Sequence, residues 1–152
     1  TIIKVKDTTT VNDIISKLSV KTNDTLMFNI SPETLVSTLI QSINKQNSNA
    51  IVNIYESSGS ASSSSDLIKT NQKIKITVPS GESRTYTLIV TGDTSGDGKV
   101  TILDLLQLQK HLLGSSVLNS VQLKSADTNF DGTTNILDLL RIQKHILGSI
   151  RL

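Results

Sequence analysis

A short acidic loop that occurs twice constrains this chain more than any other feature. Asp93-Thr-Ser-Gly-Asp-Gly-Lys-Val-Thr-Ile-Leu-Asp104 recurs 34 residues on as Asp127-Thr-Asn-Phe-Asp-Gly-Thr-Thr-Asn-Ile-Leu-Asp138. Each copy runs into nearly the same helix, Leu105 to Leu113 and Leu139 to Leu147, and each helix is followed by Gly-Ser. Of the 23 aligned positions beginning at Asp93 and Asp127, 15 are identical. The alternative for a single Asp/Asn/Gly cluster is an ordinary turn, which these residues also favour. Two in register, each feeding a helix, are a repeated device.

The spacing of oxygen-bearing residues says what the device is for. A hard cation such as calcium takes about six to eight oxygens, supplied in a tight loop from positions 1, 3, 5, 7, 9 and 12. In the first loop those positions are Asp93, Ser95, Asp97, Lys99 (through its carbonyl), Thr101 (directly or through water) and Asp104. In the second they are Asp127, Asn129, Asp131, Thr133 (through its carbonyl), Asn135 and Asp138. Gly98 and Gly132 stand at position 6, where the chain turns too sharply for a side chain. Clustered carboxylates repel one another without a cation, so two calcium ions are expected as part of the fold.

The chain changes character near Thr91-Gly92. Residues 1–91 read as a small α+β domain, a short antiparallel sheet with one or two helices. Thr10 is an N-cap for a helix with Val11, Ile14, Ile15 and Leu18 on one face. Ser31-Pro32-Glu33 reads as the start of a second helix, with Leu35, Val36, Leu39, Ile40 and Ile43 as its apolar stripe. Ile2 to Val5 and Ala50 to Tyr55 read as strands. Lys73 to Val78 alternates with period two, Pro79 to Glu82 reads as a turn, and Arg84 to Val90 as the returning strand. The serine-rich stretch Ser57 to Ser65 has nothing to bury and is expected to be a mobile loop.

Several function classes are disfavoured. There is no Trp and the aromatic share is 3%, poor material for a sugar-stacking platform. A net charge of +2 from scattered basic residues gives no nucleic-acid surface. Without cysteine there is neither a disulfide nor a thiolate metal site. No apolar run is long enough to span a membrane, and no leader opens the sequence, which reads as a piece of a longer protein. Residues 1–91 contain no His and no acids at a common spacing, so no catalytic set is expected and the chain is read as a non-enzyme.

An ordinary EF-hand has a helix on both sides of its loop. Here the first loop follows the strand-like Thr85 to Val90, and Val117 to Lys124 leaves room for only a short helix before the second. Position 12 is Asp in both copies, where calmodulin-like hands carry Glu. The run from Gly92 through Leu106, used twice, resembles the type I dockerin repeat, a calcium loop followed by one helix. The resemblance covers about residues 92–150. It implies an all-α dockerin domain over 92–152 with two F-hand (loop–helix) calcium motifs. Its implied partner is a cohesin of a scaffoldin, in an extracellular, polysaccharide-degrading cellulosome. The layout, with a small domain in front, is similar to the X module–dockerin pair. Loop positions 10 and 11, which help to choose the cohesin in that family, are Ile102-Leu103 and Ile136-Leu137; apolar residues there are similar to type II dockerins.

The helices carry two apolar stripes each. Leu105, Leu108 and Leu112, with Leu139, Ile142 and Ile146, are expected in the core. A second stripe remains in Ile102, Leu103, Leu106 and Leu113, flanked by Gln109 and Lys110. Its counterpart is Ile136, Leu137, Leu140 and Leu147, flanked by Gln143 and Lys144. A module of this size cannot bury both stripes, so these residues are the candidate cohesin contacts. Being near-identical, they predict two binding orientations about 180° apart with one cohesin bound at a time, a one-to-one complex. His111 and His145 are expected on the solvated rim. Phe130, where the first loop has Gly96, reads either as packing on the first repeat or as incidental. The alternative reading is a calcium-stabilised structural segment of a bacterial surface protein, its second stripes covered by residues 1–91 and without a cohesin partner.

Overall fold

The structure, a computed structural model, describes residues 5–152. Of the first expected strand, Ile2, Ile3 and Lys4 lie outside the described residues, and Val5 is exposed in no regular element. Helix α1 (Val11–Ile15) begins where Thr10 announces it. The Thr10 hydroxyl accepts the Asp13 N–H at 3.1 Å while Asp13 accepts the Thr10 N–H at 2.8 Å, a reciprocal cap that satisfies donors the first turn leaves free.

Helix α2 (Val36–Gln46) buries Val36, Leu39 and Ile43 but begins later than Ser31-Pro32-Glu33 suggests. Its N-cap, Leu35, offers no capping side chain. The N–H groups of Val36 and Ser37 donate instead to the carbonyls of Asp66 and Ser64, at 2.9 and 3.1 Å. Glu33 takes a left-handed backbone with φ 62° and donates its N–H to the Gly98 carbonyl at 2.8 Å. Distant partners thus satisfy the donors a local cap would have held.

Five strands make one sheet in the order β1-β2-β5-β4-β3: β1 (Lys21–Thr22), β2 (Leu26–Ile30), β3 (Ile51–Tyr55), β4 (Lys73–Thr77) and β5 (Ser83–Val90). The β3, β4 and β5 ladders are antiparallel, with Ile76 opposite Val52 on one side and Arg84 on the other. Gly81, at φ 93°, closes the β4–β5 turn. β2, however, lies parallel to β5, so the sheet is mixed rather than antiparallel. The sequence reading missed β1 and β2: the first has two residues, and Leu26 to Ile30 does not alternate, being bent at Asn29 with φ 62°.

The helices cover one face of this sheet, closing a core of Val11, Ile14, Met27, Val36, Ile43, Ile74, Ile76 and Leu88 among others. Ser57 to Ser65 is tied down, contrary to the mobile loop expected of it. Ser62 donates its hydroxyl to Glu56 at 2.8 Å and its N–H to the Ile54 carbonyl at 2.9 Å. Gln72 donates to both Glu56 and Ser62. The serines bury little, but hydrogen bonds hold the loop in place of apolar packing.

The C-terminal part has three helices, α3 (Ile102–Leu112), α4 (Ser120–Ala126) and α5 (Ile136–Ile146). Its own core is Leu108, Leu118, Ala126 and Ile142, with Val100, Leu105, Leu123, Leu139 and Leu152 around it. Helix α4 packs against β5, which explains why β5 ends in a run, Tyr86 to Val90, buried on both faces. Ser125 donates its hydroxyl to the Val90 carbonyl at 2.7 Å, and Gly92 donates its N–H to the Ser125 carbonyl at 2.8 Å.

Candidate functional site

Both acidic loops close on their own amides. In the first, Asp93 Oδ1 accepts the N–H groups of Gly96 and Asp97 at 2.8 and 3.0 Å, and Oδ2 accepts that of Gly98 at 2.9 Å. Asp104 spans the loop, taking the Ser95 N–H on Oδ1 and the Thr101 N–H on Oδ2, each at 2.8 Å. The second loop repeats the pattern. Asp127 accepts the N–H groups of Asp131 and Gly132 at 3.1 and 3.0 Å, and Asp138 accepts those of Thr128 and Asn135 at 2.9 and 3.0 Å. Gly98 and Gly132 have φ 86° and 85°, the left-handed turn for which glycine stands at both positions.

The remaining candidate ligands lie in the same loops. Ser95 donates its hydroxyl to Asp93 at 3.3 Å, and Thr101 donates its hydroxyl to Asp104 at 3.3 Å. Asp97 accepts the Lys99 N–H at 2.9 Å. Asn129 and Thr133 both donate to Asp131, at 2.8 and 2.7 Å, while the Asn135 amide donates to the Thr133 hydroxyl at 3.1 Å. The Thr133 hydroxyl, with the Thr133 N–H and the Asn129 amide, holds the Asp131 carboxyl below the usual carboxylate range. Burial pushes the Asp93 carboxyl up, against the N–H groups that favour its charge, and Asp104 adds repulsion.

Asp93, Asp104, Asp127 and Asp138 are all buried. Among the described residues no basic side chain pairs with any of them; the ion pairs there are Lys69–Glu56 and Arg84–Glu82, in the N-terminal part. Nor do three acidic or histidine side chains converge, among the described residues, into a cluster that alone would hold a metal. A loop-bound calcium draws as much on hydroxyl, amide and carbonyl oxygens as on carboxylates. The donor set here, oxygen throughout and short of positive charge, fits that ion.

Helices α3 and α5 start at these loops, capped by Thr101 and Asn135 at loop position 9. They meet through Leu108 and Ile142, both fully buried, with Leu105 and Leu139 beside them. Leu112 and Ile146, expected in the core, are instead exposed: they lie one turn past the apolar cluster. The second stripes face solvent on both helices. Ile102, Leu106 and Leu113 are 68%, 42% and 75% exposed, and their counterparts Ile136, Leu140 and Leu147 are 65%, 44% and 71%. Leu103 and Leu137 are exposed as well, as are Gln109, Lys110, Gln143 and Lys144. The N-terminal part covers neither stripe.

Residues 91–147 match the family model of the dockerin type I domain. This segment is a dockerin. Dockerins are non-catalytic modules that bind calcium and dock on cohesins, typically in secreted components of cellulosomes. No curated protein and no solved structure matches the chain.

Three features of this dockerin escape a reading of its sequence. His111 and His145 are half-buried, and Nδ1 of each accepts a backbone N–H seven residues on, from Leu118 at 3.2 Å and Leu152 at 3.1 Å. They fasten the chain behind each helix, a role beyond the solvated rim expected of them. Phe130 packs neither on the first repeat nor on nothing. Its ring lies 6.3 Å from that of Phe28 in β2, with Lys124 over Phe28 at 4.1 Å and Lys21 over Phe130 at 5.7 Å. Finally, Thr70 donates its N–H to Asp93 Oδ2 at 3.0 Å. A backbone donor of this kind leaves no mark in a sequence.

Proposed function

We propose that this chain is a calcium-dependent docking unit that binds one cohesin through α3 and α5, in either of two orientations, and that residues 1–91 are a non-catalytic companion domain. The observation that carries the reading is the paired exposure of the two apolar stripes. A monomeric domain seldom leaves two matching apolar faces in water without a partner for them. Ile102, Leu103, Leu106 and Leu113, with Gln109 and Lys110, make one face. Ile136, Leu137, Leu140 and Leu147, with Gln143 and Lys144, make the other. The corresponding positions lie 34 residues apart and are exposed to nearly the same degree. The purely structural alternative requires those faces to be covered.

Each loop is proposed to hold one calcium, two per chain, as paired F-hand motifs. Asp93, Ser95, Asp97, Asp104 and the Lys99 carbonyl, with Thr101, would hold the first. Asp127, Asn129, Asp131, Asp138 and the Thr133 carbonyl, with Asn135, would hold the second. When bound, the ion supplies the positive charge that four buried carboxylates lack. The residues themselves then do the positioning: Asp104 and Asp138 cap α3 and α5, and so set the angle at which each apolar face leaves its loop. An X-like domain over 1–91 ahead of a dockerin over 92–152, at work outside the cell, completes the reading.

The test is calorimetric titration against a panel of type I and type II cohesins, in calcium and in excess chelator. One-to-one binding that chelation abolishes is expected. Alanine at Ile102, Leu103 and Leu106, or at their counterparts Ile136, Leu137 and Leu140, should each be tolerated, because the other face remains. All six together should weaken binding by about two orders of magnitude or more. Loss of binding in either single-face variant would leave one orientation. Calcium binding with no response to any cohesin type would favour the structural alternative.

A further inference from the structure

The two calcium loops are alike in themselves and unlike in their surroundings. Asp93 Oδ2 accepts the N–H of Thr70 as well as that of Gly98. Its counterpart Asp127 accepts only from its own loop among the described residues. The Gly98 carbonyl accepts the N–H of Glu33 at 2.8 Å. A Cβ added at Gly98 would stand 2.7 Å from the Ile68 carbonyl and 2.8 Å from Leu67 Cβ, and one at Gly96 would stand 3.2 Å from the Thr70 carbonyl. At Gly132 a Cβ would meet nothing within 4 Å. The segment from Leu67 to Thr70, together with Glu33, therefore lies directly on the first loop.

We propose that the first calcium loop is a composite site, completed by the Thr70 amide and the Leu67–Thr70 segment, and that filling this loop, and not the second, fastens the N-terminal part to the dockerin. The inference rests on the calcium reading above. The physical argument has two halves. Thr70 and Gly98 together fix the orientation of the Asp93 carboxylate, so the first loop gives up less freedom when it closes on a cation. Coupling of this kind is reciprocal, so whatever ordering Thr70 lends the loop is returned to Thr70 and Glu33 once the loop is filled. Glu33 is held in a left-handed conformation, which persists only where its surroundings enforce it. Phe130 does bring the second loop to Phe28, but from loop position 4, which supplies no ligand. It carries the apolar contact without orienting a carboxylate.

The experiment uses the full chain and the exchange rates of the Thr70 and Glu33 amides, read by NMR in excess calcium. Asp97→Ala removes a ligand from the first loop and Asp131→Ala the equivalent ligand from the second. Asp97→Ala is expected to speed exchange at both amides by about tenfold or more, with the β4–β5 ladder unchanged, while Asp131→Ala leaves them within about twofold. Equal effects of the two variants, or none, would overturn the proposal. Gly98→Ala and Gly132→Ala form a second pair that keeps every ligand and carries the same backbone strain. Calcium calorimetry should show the larger loss of affinity, by about tenfold, in Gly98→Ala, and equal losses would again overturn the proposal. Wild-type chain that takes up no calcium would overturn the calcium reading itself. Two bound ions with a Thr70 amide indifferent to Asp97→Ala would spare that reading and sink only the composite site.

Discussion

Loop position 4 is Gly96 in one repeat and Phe130 in the other, and each suits what lies against it. Gly96 stands under the Thr70 carbonyl, where a Cβ would be tight. Phe130 points its ring at Phe28 and holds a left-handed backbone at φ 58° to do so. Such a backbone costs a bulky residue about 1–2 kcal/mol, which the aromatic contact and its flanking lysines must offset. Phe130→Ala keeps most of the strain and loses the contact, so it should destabilise the chain by about 1–2 kcal/mol in denaturant unfolding. Phe130→Gly loses the same contact but relieves the strain, and should be the milder change. A glycine variant as damaging as the alanine would mean that the strain contributes nothing. The difference between Gly96 and Phe130 is plain in the sequence, whereas its cause, a strand some hundred residues earlier, is not.

Among the elements, the helices that carry their own caps were the legible ones. α1 begins where Thr10 announces it, because a side-chain cap is a local interaction written into adjacent residues. α3 and α5 have caps of the same kind in Thr101 and Asn135 and start three residues before the Leu105 and Leu139 that open the expected helices. α2 breaks the rule, since its first donors go to Ser64 and Asp66, whose approach depends on the whole sheet. β2 was missed for a related reason: it alternates poorly and gains its place by pairing parallel to β5. The short helix α4 joins the two parts of the chain. Asn119 caps it, its side chain accepting the Gln122 N–H at 2.9 Å while Gln122 accepts that of Asn119 at 3.0 Å. Asn119→Ala should therefore lower stability by about 1 kcal/mol in thermal or denaturant unfolding, with Asn119→Ser near wild type. Asn119 lies outside both loops, so calcium stoichiometry should not change; if it does, α4 shapes the loops as well as joining the parts.

The molecule as a whole has two apolar cores, one drawn from Val11 to Val90 and one from Val100 to Leu152, with β5, α4 and the first loop between them. The smaller core has four buried apolar residues and, nearby, four buried carboxylates without a basic partner among the described residues. It should depend on its cation far more than the larger core does. If each loop holds one calcium as proposed, free calcium at a hundred times the dissociation constant would stabilise the fold by about 2.7 kcal/mol per site. Chelation is expected to lower the unfolding midpoint of the α3–α5 region well before that of the sheet, followed by tyrosine fluorescence for the sheet, where both tyrosines lie, and by helical dichroism. Coincident loss of both signals at one lowered midpoint would mean that the two cores unfold as one unit. The sequence alone determined the repeat, the spacing of its oxygen-bearing residues, the position-6 glycines and the doubled apolar stripes, because loop closure and helix faces are set by residues within a dozen positions of one another. Only the tertiary structure decided which stripe stays wet, why the two loops differ, and that Thr70 reaches Asp93. Those outcomes depend on backbone groups every residue carries, and on which distant surfaces the packing of sheet and helices brings together.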